Sequence, residues 1–238
     1  MRRAPSLCSI AVLALALAAA GMPAWAAGET PAPRYANFGK EGASADVRHI
    51  ADWALDSGDH AGMPFIVVDK VNARVFVFDA SGLLRGASPV LLGLARGDHT
   101  VPGIGTRKLA TIEPRERTTP AGRFVAALDR SLAGEEILWV DYDSGVALHR
   151  VIATVPKERR LQRLESKAPL EHRITFGCIN VPVKFYEKIV SPAFTGTNGI
   201  VYVLPEVRPV REVFGSYDVG TLPAGAGRQA GSVEGSSR

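Results

Sequence analysis

From Phe65 onward the chain falls into short apolar runs broken by turn residues. Phe65-Ile66-Val67-Val68 and Arg74-Val75-Phe76-Val77-Phe78 are bounded by the polar stretches 69–72 and 79–82. β-Branched and aromatic runs of this length, punctuated by Asp, Asn and Gly, predict consecutive antiparallel strands. Residues 90–94, 123–128, 137–140, 146–149 and 200–204 have the same character and add further strands. Upstream, Ile50, Trp53 and Ala54 recur at helical spacing and predict a short amphipathic helix over 46–56, ended by Gly58. Residues 157–167 carry Leu161 and Leu164 three apart in a charged stretch and predict a second short helix with a solvated face. Many short strands with one or two short helices make the expected class mainly β, a β-sandwich or barrel-like domain.

The ends read differently. Residues 27–44 are rich in Ala, Gly and Pro and read as a mobile leader. Residues 220–238 hold five glycines and no aromatic residue, and read as disordered. Ahead of both, Arg2 and Arg3 precede an uninterrupted run of eleven apolar residues, Ile10 to Ala20, and Ala24-Trp25-Ala26 supplies small residues at a cleavage site. That is the layout of a secretory signal peptide cut after Ala26, and the run is too short for a comfortable membrane span. The expected organisation is a signal peptide at 1–26, leader and short helix at 27–61, one domain at 62–213 and a tail at 214–238. A domain of that size buries a core without disulfides.

Charge excludes more than it suggests. The 28 basic and 24 acidic residues leave +4, but two of the positive charges are Arg2 and Arg3. Without them 26 face 24, and +2 does not predict nucleic-acid binding.

Cysteine is more telling. Cys8 lies in the segment expected to be removed, which leaves Cys178 with no disulfide partner in an oxidising space. A solitary thiol there is either buried or used. Its surroundings, Arg173-Ile174-Thr175-Phe176-Gly177-Cys178-Ile179-Asn180-Val181-Pro182, favour use. Gly177 lets the backbone turn sharply and lets a substrate come close. Backbone N–H groups at such a turn face the oxyanion that forms after thiolate attack. A free thiol ionises near pH 8.5, so a nucleophile needs a nearby base or cation, and then reacts faster than a peptide thiol at neutral pH.

Five histidines can supply the base. His149 ends the apolar run Val146-Ala147-Leu148-His149, where a strand mouth presents it to a groove. His172 is nearer in sequence but sits among charged residues and is expected to face solvent. His49, His60 and His99 fall in the leading helix or in loops. No His-Glu-x-x-His or paired Cys-x-x-Cys spacing points to a metal. Gly103-Ile104-Gly105 is not followed by the helix that a phosphate loop needs and reads as a flexible loop.

The order His149, Thr175, Phe176, Gly177, Cys178, Ile179, Asn180 resembles the signature of the L,D-transpeptidases, the YkuD-like family. Thr119-Pro120-Ala121-Gly122-Arg123-Phe124 is similar to that family's Thr-Pro-x-Gly-x-Phe landmark. The resemblance covers about 140 residues, from Phe65 to Pro205. It departs from the family at Phe176, where His is usual, and in the 26-position step from His149 to Thr175, a longer gap that contains the basic stretch 157–167.

The resemblance implies an L,D-transpeptidase-like β-sandwich acting on peptidoglycan stem peptides in the periplasm, without a cofactor, metal or nucleic-acid partner, and with no stable membrane span after cleavage. It casts Cys178 as nucleophile and His149 as its base, with oxyanion N–H groups from Gly177 and Cys178. Thr175 and Asn180 shape the loop and contact substrate. Two alternatives stay open on the sequence: a hydrolytic relative that cuts such bonds, and a non-catalytic wall-binding module.

Overall fold

Ser44 turns the chain into its first helix. Its hydroxyl accepts the Val47 N–H at 3.3 Å, and α1 (Ala45–Ser57) runs until Gly58 takes a left-handed conformation with φ 74°. The computed structural model describes residues 32–221. The buried stripe of α1 is Val47, Ile50, Ala51, Trp53 and Ala54, the spacing of one helical face.

Ten strands follow among the described residues: β1 (Phe65–Asp69), β2 (Arg74–Phe78), β3 (Leu84–Pro89), β4 (Leu92–Gly93), β5 (Gly122–Arg130), β6 (Glu136–Asp141), β7 (Val146–Arg150), β8 (Arg173–Thr175), β9 (Ile179–Val181) and β10 (Gly199–Val203). Eight form one sheet in the order β3-β2-β1-β10-β5-β6-β7-β9, and β4 pairs with β8. The expectation of a mainly β domain holds. Neighbouring hairpins are antiparallel as the turn residues predict, but β1 with β10, β7 with β9, and β4 with β8 run parallel. Parallel pairs need long crossovers, which local turn signals do not reveal.

The sheet carries two cores. Phe65, Val67, Phe76, Phe78, Ile200 and Tyr202 pack under α1 on one face. Ile66, Val68, Val75, Val77 and Val201 point the other way and meet Leu138, Leu148, Ile179 and Val181 in a single cluster. The sheet therefore curls until its β6, β7 and β9 end faces its β1 and β2 end. All five residues of β1 are buried, as a central strand covered on both faces requires.

Further helical segments complete the cover. α2 (Arg160–Glu165) is the predicted basic helix. α3 (Val183–Phe185) passes through a π turn (Tyr186–Val190) into α4 (Ser191–Phe194), and Tyr186, Val190 and Phe194 fill the curled side. α5 (Val210–Phe214) joins α1 on the other face.

The two outer strands are tied together. The chain leaves β3 at Pro89, and Leu91 then exchanges two backbone hydrogen bonds of 2.8 and 2.9 Å with Asn180 on β9. This link brings the sheet close to a closed barrel.

The core begins earlier than its sequence suggests. Asn37 pairs with Leu83, and Phe38 is buried edge-on against Phe76 and Phe78, so part of the stretch read as a mobile leader is core. At the other end, His49 binds Ser216 at 2.8 Å and Asp218 at 3.2 Å, which holds the chain beyond α5 against α1. His60 is buried between the carbonyls of Ala54 and Ala80, and His99 is exposed. The expected cleavage after Ala26 and residues 222–238 lie outside the described residues. Among the described residues no helix is long and apolar enough to cross a membrane.

Candidate active site

The parallel ladder of β7 and β9 sets Leu148 beside Ile179, His149 beside Asn180 and Arg150 beside Val181. Cys178 stands one residue ahead of that ladder, where the Ala147 backbone N–H reaches its sulfur. Its thiol donates to the Gly145 carbonyl at 3.8 Å. Strand pairing thus brings together residues that are 29 to 31 positions apart in the chain.

The turn before the thiol is built from both sequence landmarks. Gly177 has φ 136°, and a Cβ there would lie 3.0 Å from the Thr118 carbonyl oxygen, so only glycine fits without strain. Thr119 Oγ1 donates to the Gly177 carbonyl at 2.8 Å while accepting the Gly93 N–H at 2.9 Å. Thr175 Oγ1 donates to the Cys178 carbonyl at 2.7 Å and accepts the Gly177 N–H at 3.2 Å. Two hydroxyls therefore clamp the turn from opposite sides. The Gly177 N–H, expected to face an oxyanion, is engaged by Thr175 in this conformation.

The protonation of His149 follows from its partners. Nδ1 lies 2.8 Å from the Arg150 carbonyl, which can only accept, so Nδ1 carries the hydrogen. Arg160 Nη1 donates to Asn180 Oδ1 at 2.8 Å, and a guanidinium can only donate, so the amide nitrogen of Asn180 faces the other way. That nitrogen lies 3.0 Å from His149 Nε2, which therefore accepts and is unprotonated. Burial, together with the nearby Arg160 charge, lowers the His149 pKa against the opposing pull of the Arg150 carbonyl. His149 is a neutral imidazole with its lone pair on Nε2, the form a general base requires. In this conformation the lone pair meets Asn180 rather than the sulfur.

The thiol departs from the sequence expectation. Burial raises the Cys178 pKa, and the Ala147 N–H and the Arg160 charge offset this only in part. That shift favours the protonated thiol and runs against the expectation of a thiol more reactive than a peptide's at neutral pH; among the described residues no cation or imidazole hydrogen-bonds the sulfur.

His172 is also corrected. It is buried, with ring nitrogens 2.9 Å from the Val90 carbonyl and 3.1 Å from the Ser166 carbonyl, although its charged neighbours in sequence suggested a solvent-facing ring. Gly103-Ile104-Gly105 is likewise no open loop. Ile104 is buried, and a Cβ on Gly105 would lie 2.4 Å from the Asp143 carbonyl oxygen. This turn braces the β6–β7 connection that carries Gly145. Phe176 lies under the guanidinium of Arg117, 3.9 Å from its ring centroid.

Behind the site lies a buried network of charge. Lys70 Nζ donates to Asp98 and to the Gly97 and Thr119 carbonyls. Arg173, at the start of β8, donates to Glu206 at 2.6 Å and to the Lys70 carbonyl at 2.9 Å. The Thr119 landmark, the entry to the Cys178 turn and the chain after β10 are thereby fixed to one another.

Arg160 is the site residue whose position sequence reasoning missed. The expected solvated face of 157–167 holds for exposed Arg159 and Lys157, but Arg160 turns inward. Its Nε donates to Glu158 at 2.6 Å while its Nη1 reaches Asn180.

No protein-family model and no curated protein matches the chain. Among solved structures it is similar to the helical cell shape determining protein Pgp2 from Campylobacter jejuni, at 15% identity and TM-score 0.41 over 66% of this chain and 55% of that one. For the K307A variant of Pgp2 the shares are 70% and 58%, so the chain spans a little over half the length of these first neighbours. It is also similar to the catalytic domain of the Enterococcus faecium L,D-transpeptidase, at 16% identity and TM-score 0.33 over 59% of this chain and 96% of that one. Residues 123–326 of the L,D-transpeptidase from Xylanimonas cellulosilytica align at 13% identity and TM-score 0.34, over 74% of this chain and all of that segment.

Proposed function

We propose that this protein is an exported L,D-transpeptidase that acts on peptidoglycan stem peptides through an acyl-enzyme on Cys178. The observation that carries the proposal is the β7–β9 register, which places a neutral His149 and Asn180 side by side next to the Cys178 turn. The matches to both family landmarks support it, since the Thr119 and Thr175 hydroxyls of those landmarks clamp one turn.

The chemistry follows in order. Substrate entering the site displaces Asn180 from His149 Nε2, and that nitrogen takes the thiol proton. The sulfur attacks the carbonyl joining the third stem residue to the terminal D-alanine and forms an S–C bond. The Cys178 N–H faces the resulting oxyanion; Gly177 joins it only by giving up Thr175. Collapse breaks the C–N bond, and His149 returns its proton to the leaving amine. An amine acceptor then attacks the thioester and restores the thiol.

Incubation with purified peptidoglycan, followed by mass analysis of the fragments, tests this reading. New cross-links formed by the parent and lost in Cys178→Ala are the expected result. Shortened stems without cross-links identify water as the acceptor and a hydrolase instead. Fragments unchanged by the parent, or full activity in Cys178→Ala, overturn the proposal.

A further inference from the structure

The stretch 157–167 is docked, not loose. Leu164 is buried in a small cluster with Leu91 and Val151. Arg163 donates to the Glu158 carbonyl at 2.9 Å and to the Glu171 carbonyl at 2.6 Å. Between the turn Pro156–Glu158 and α2, Arg159 sits in the left-handed region at φ 51°, ψ 39°. A non-glycine residue is strained there, and such strain persists where the surroundings fix it. The consequence of this kink is that the next residue, Arg160, points toward the site while Arg159 stays in solvent.

Asn180 is almost fully buried, and both ends of its amide are committed. Rotating the amide by half a turn would set its two N–H groups against Arg160 and its oxygen against His149. Arg160 forbids that rotation because it has no lone pair to offer. A protonated imidazole at His149 requires the forbidden orientation, since both its nitrogens donate.

Resting on the transpeptidase reading above, we propose that Arg160 is a positioning residue for the proton acceptor. It orients Asn180, and through Asn180 it holds His149 in the neutral form with Nε2 free of hydrogen. The charged groups facing this pair are few. Arg160 and Glu158 come from the docked stretch, Cys178 comes from the turn before β9, and Arg150 on β7 turns its guanidinium away to the Glu136 carbonyl and Glu187. Arg160 is the one whose charge bears on both His149 and Cys178.

The test is a pH titration of the intact chain labelled with 15N at histidine, with the His149 signals assigned by their loss in His149→Gln. In the parent, Nδ1 is the protonated nitrogen and the midpoint lies below that of a free imidazole. Arg160→Met moves the midpoint upward and mixes the two tautomers. Arg160→Lys, which keeps a donor and a charge, restores the parent behaviour at least in part. Asn180→Asp, which keeps the bond to Arg160 but offers His149 an acceptor, moves the midpoint further up and places hydrogen on Nε2. An unchanged tautomer and midpoint in Arg160→Met overturns the proposal; should that variant not fold, an unchanged midpoint in Asn180→Asp does so. None of these signals depends on peptidoglycan, so loss of the transpeptidase reading and loss of this one are separately visible.

Discussion

Cys178 shows how far a residue's neighbours in space can differ from those its sequence suggests. The Gly-Cys turn and a histidine base read as an activated thiol, but in the folded chain desolvation is the largest influence on it. The expected outcome is that iodoacetamide modifies Cys178 more slowly at pH 7 than it modifies a peptide thiol, with a rate that climbs at more alkaline pH than usual. The direction is fixed by the sign of the shift. A thiol held above its unfolded value also weakens the fold as pH rises past that unfolded value, because the unfolded chain ionises first. Mass-resolved alkylation from pH 6 to 10 checks this, and a rate above the peptide's at neutral pH would falsify it. His172 gives the same lesson in reverse. Its charged sequence neighbours conceal a ring held between two backbone carbonyls, and only the tertiary path of Val90 past Ser166 reveals it.

At the scale of elements, legibility followed length and periodicity. β1, β2, β5, β6, β7 and β10 carry five or more residues with strong apolar runs, and the sequence reading found all six within a few residues of their ends. β3 was missed because Leu84-Arg85-Gly86-Ala87-Ser88-Pro89 has weak strand propensity and forms by pairing with β2. β8 and β9 have three residues each, too few to show alternation, yet they flank Cys178. The Thr-x-Gly-Cys-x-Asn motif between and within them is legible where the strands are not. The stretch 157–167 reads as a short helix with a solvated face, and the structure has that helix; what the pattern does not reveal is its buried side, where Leu164 docks. Leu164→Ala should cost about 2 kcal/mol of local stability. Faster amide exchange across 156–165, with a His149 midpoint moving the same way as in Arg160→Met, is the expected signature. Unchanged exchange would show that polar contacts alone seat the stretch.

Across the whole molecule, the site depends on charges that no short motif contains. Asp98 accepts N–H groups from Glu206, Val207 and Arg208 as well as the Lys70 ammonium. Burial alone would raise its pKa, but the Glu206 and Arg208 N–H groups and Lys70 pull it down to about 2. A carboxyl depressed below its unfolded value stabilises the fold above that value and loses the contribution as pH falls through the folded pKa. Asp98→Asn should therefore cost on the order of 2 kcal/mol at pH 7 and progressively less between pH 4 and 2. Urea melts of parent and variant at both ends of that window measure the difference, and a constant gap would assign the cost to something other than charge. Lys70, Asp98, Arg173 and Glu206 span 137 positions of sequence, which is why the hydrophobic pattern found the strands but not their anchor.

The bridge between Leu91 and Asn180 has a mechanical consequence. β9 is held on its β7 side by a three-residue ladder, while its other side is closed by two hydrogen bonds at one residue. That seam is a single bridge, and the residue on it is the one whose side chain touches both His149 and Arg160. Heat or denaturant is expected to part the sheet there first, seen as amide exchange that is faster at Leu91 and Asn180 than along β7. The barrel and its chemistry therefore share a hinge: breathing at Asn180 releases the imidazole from its restraint before the rest of the fold is disturbed.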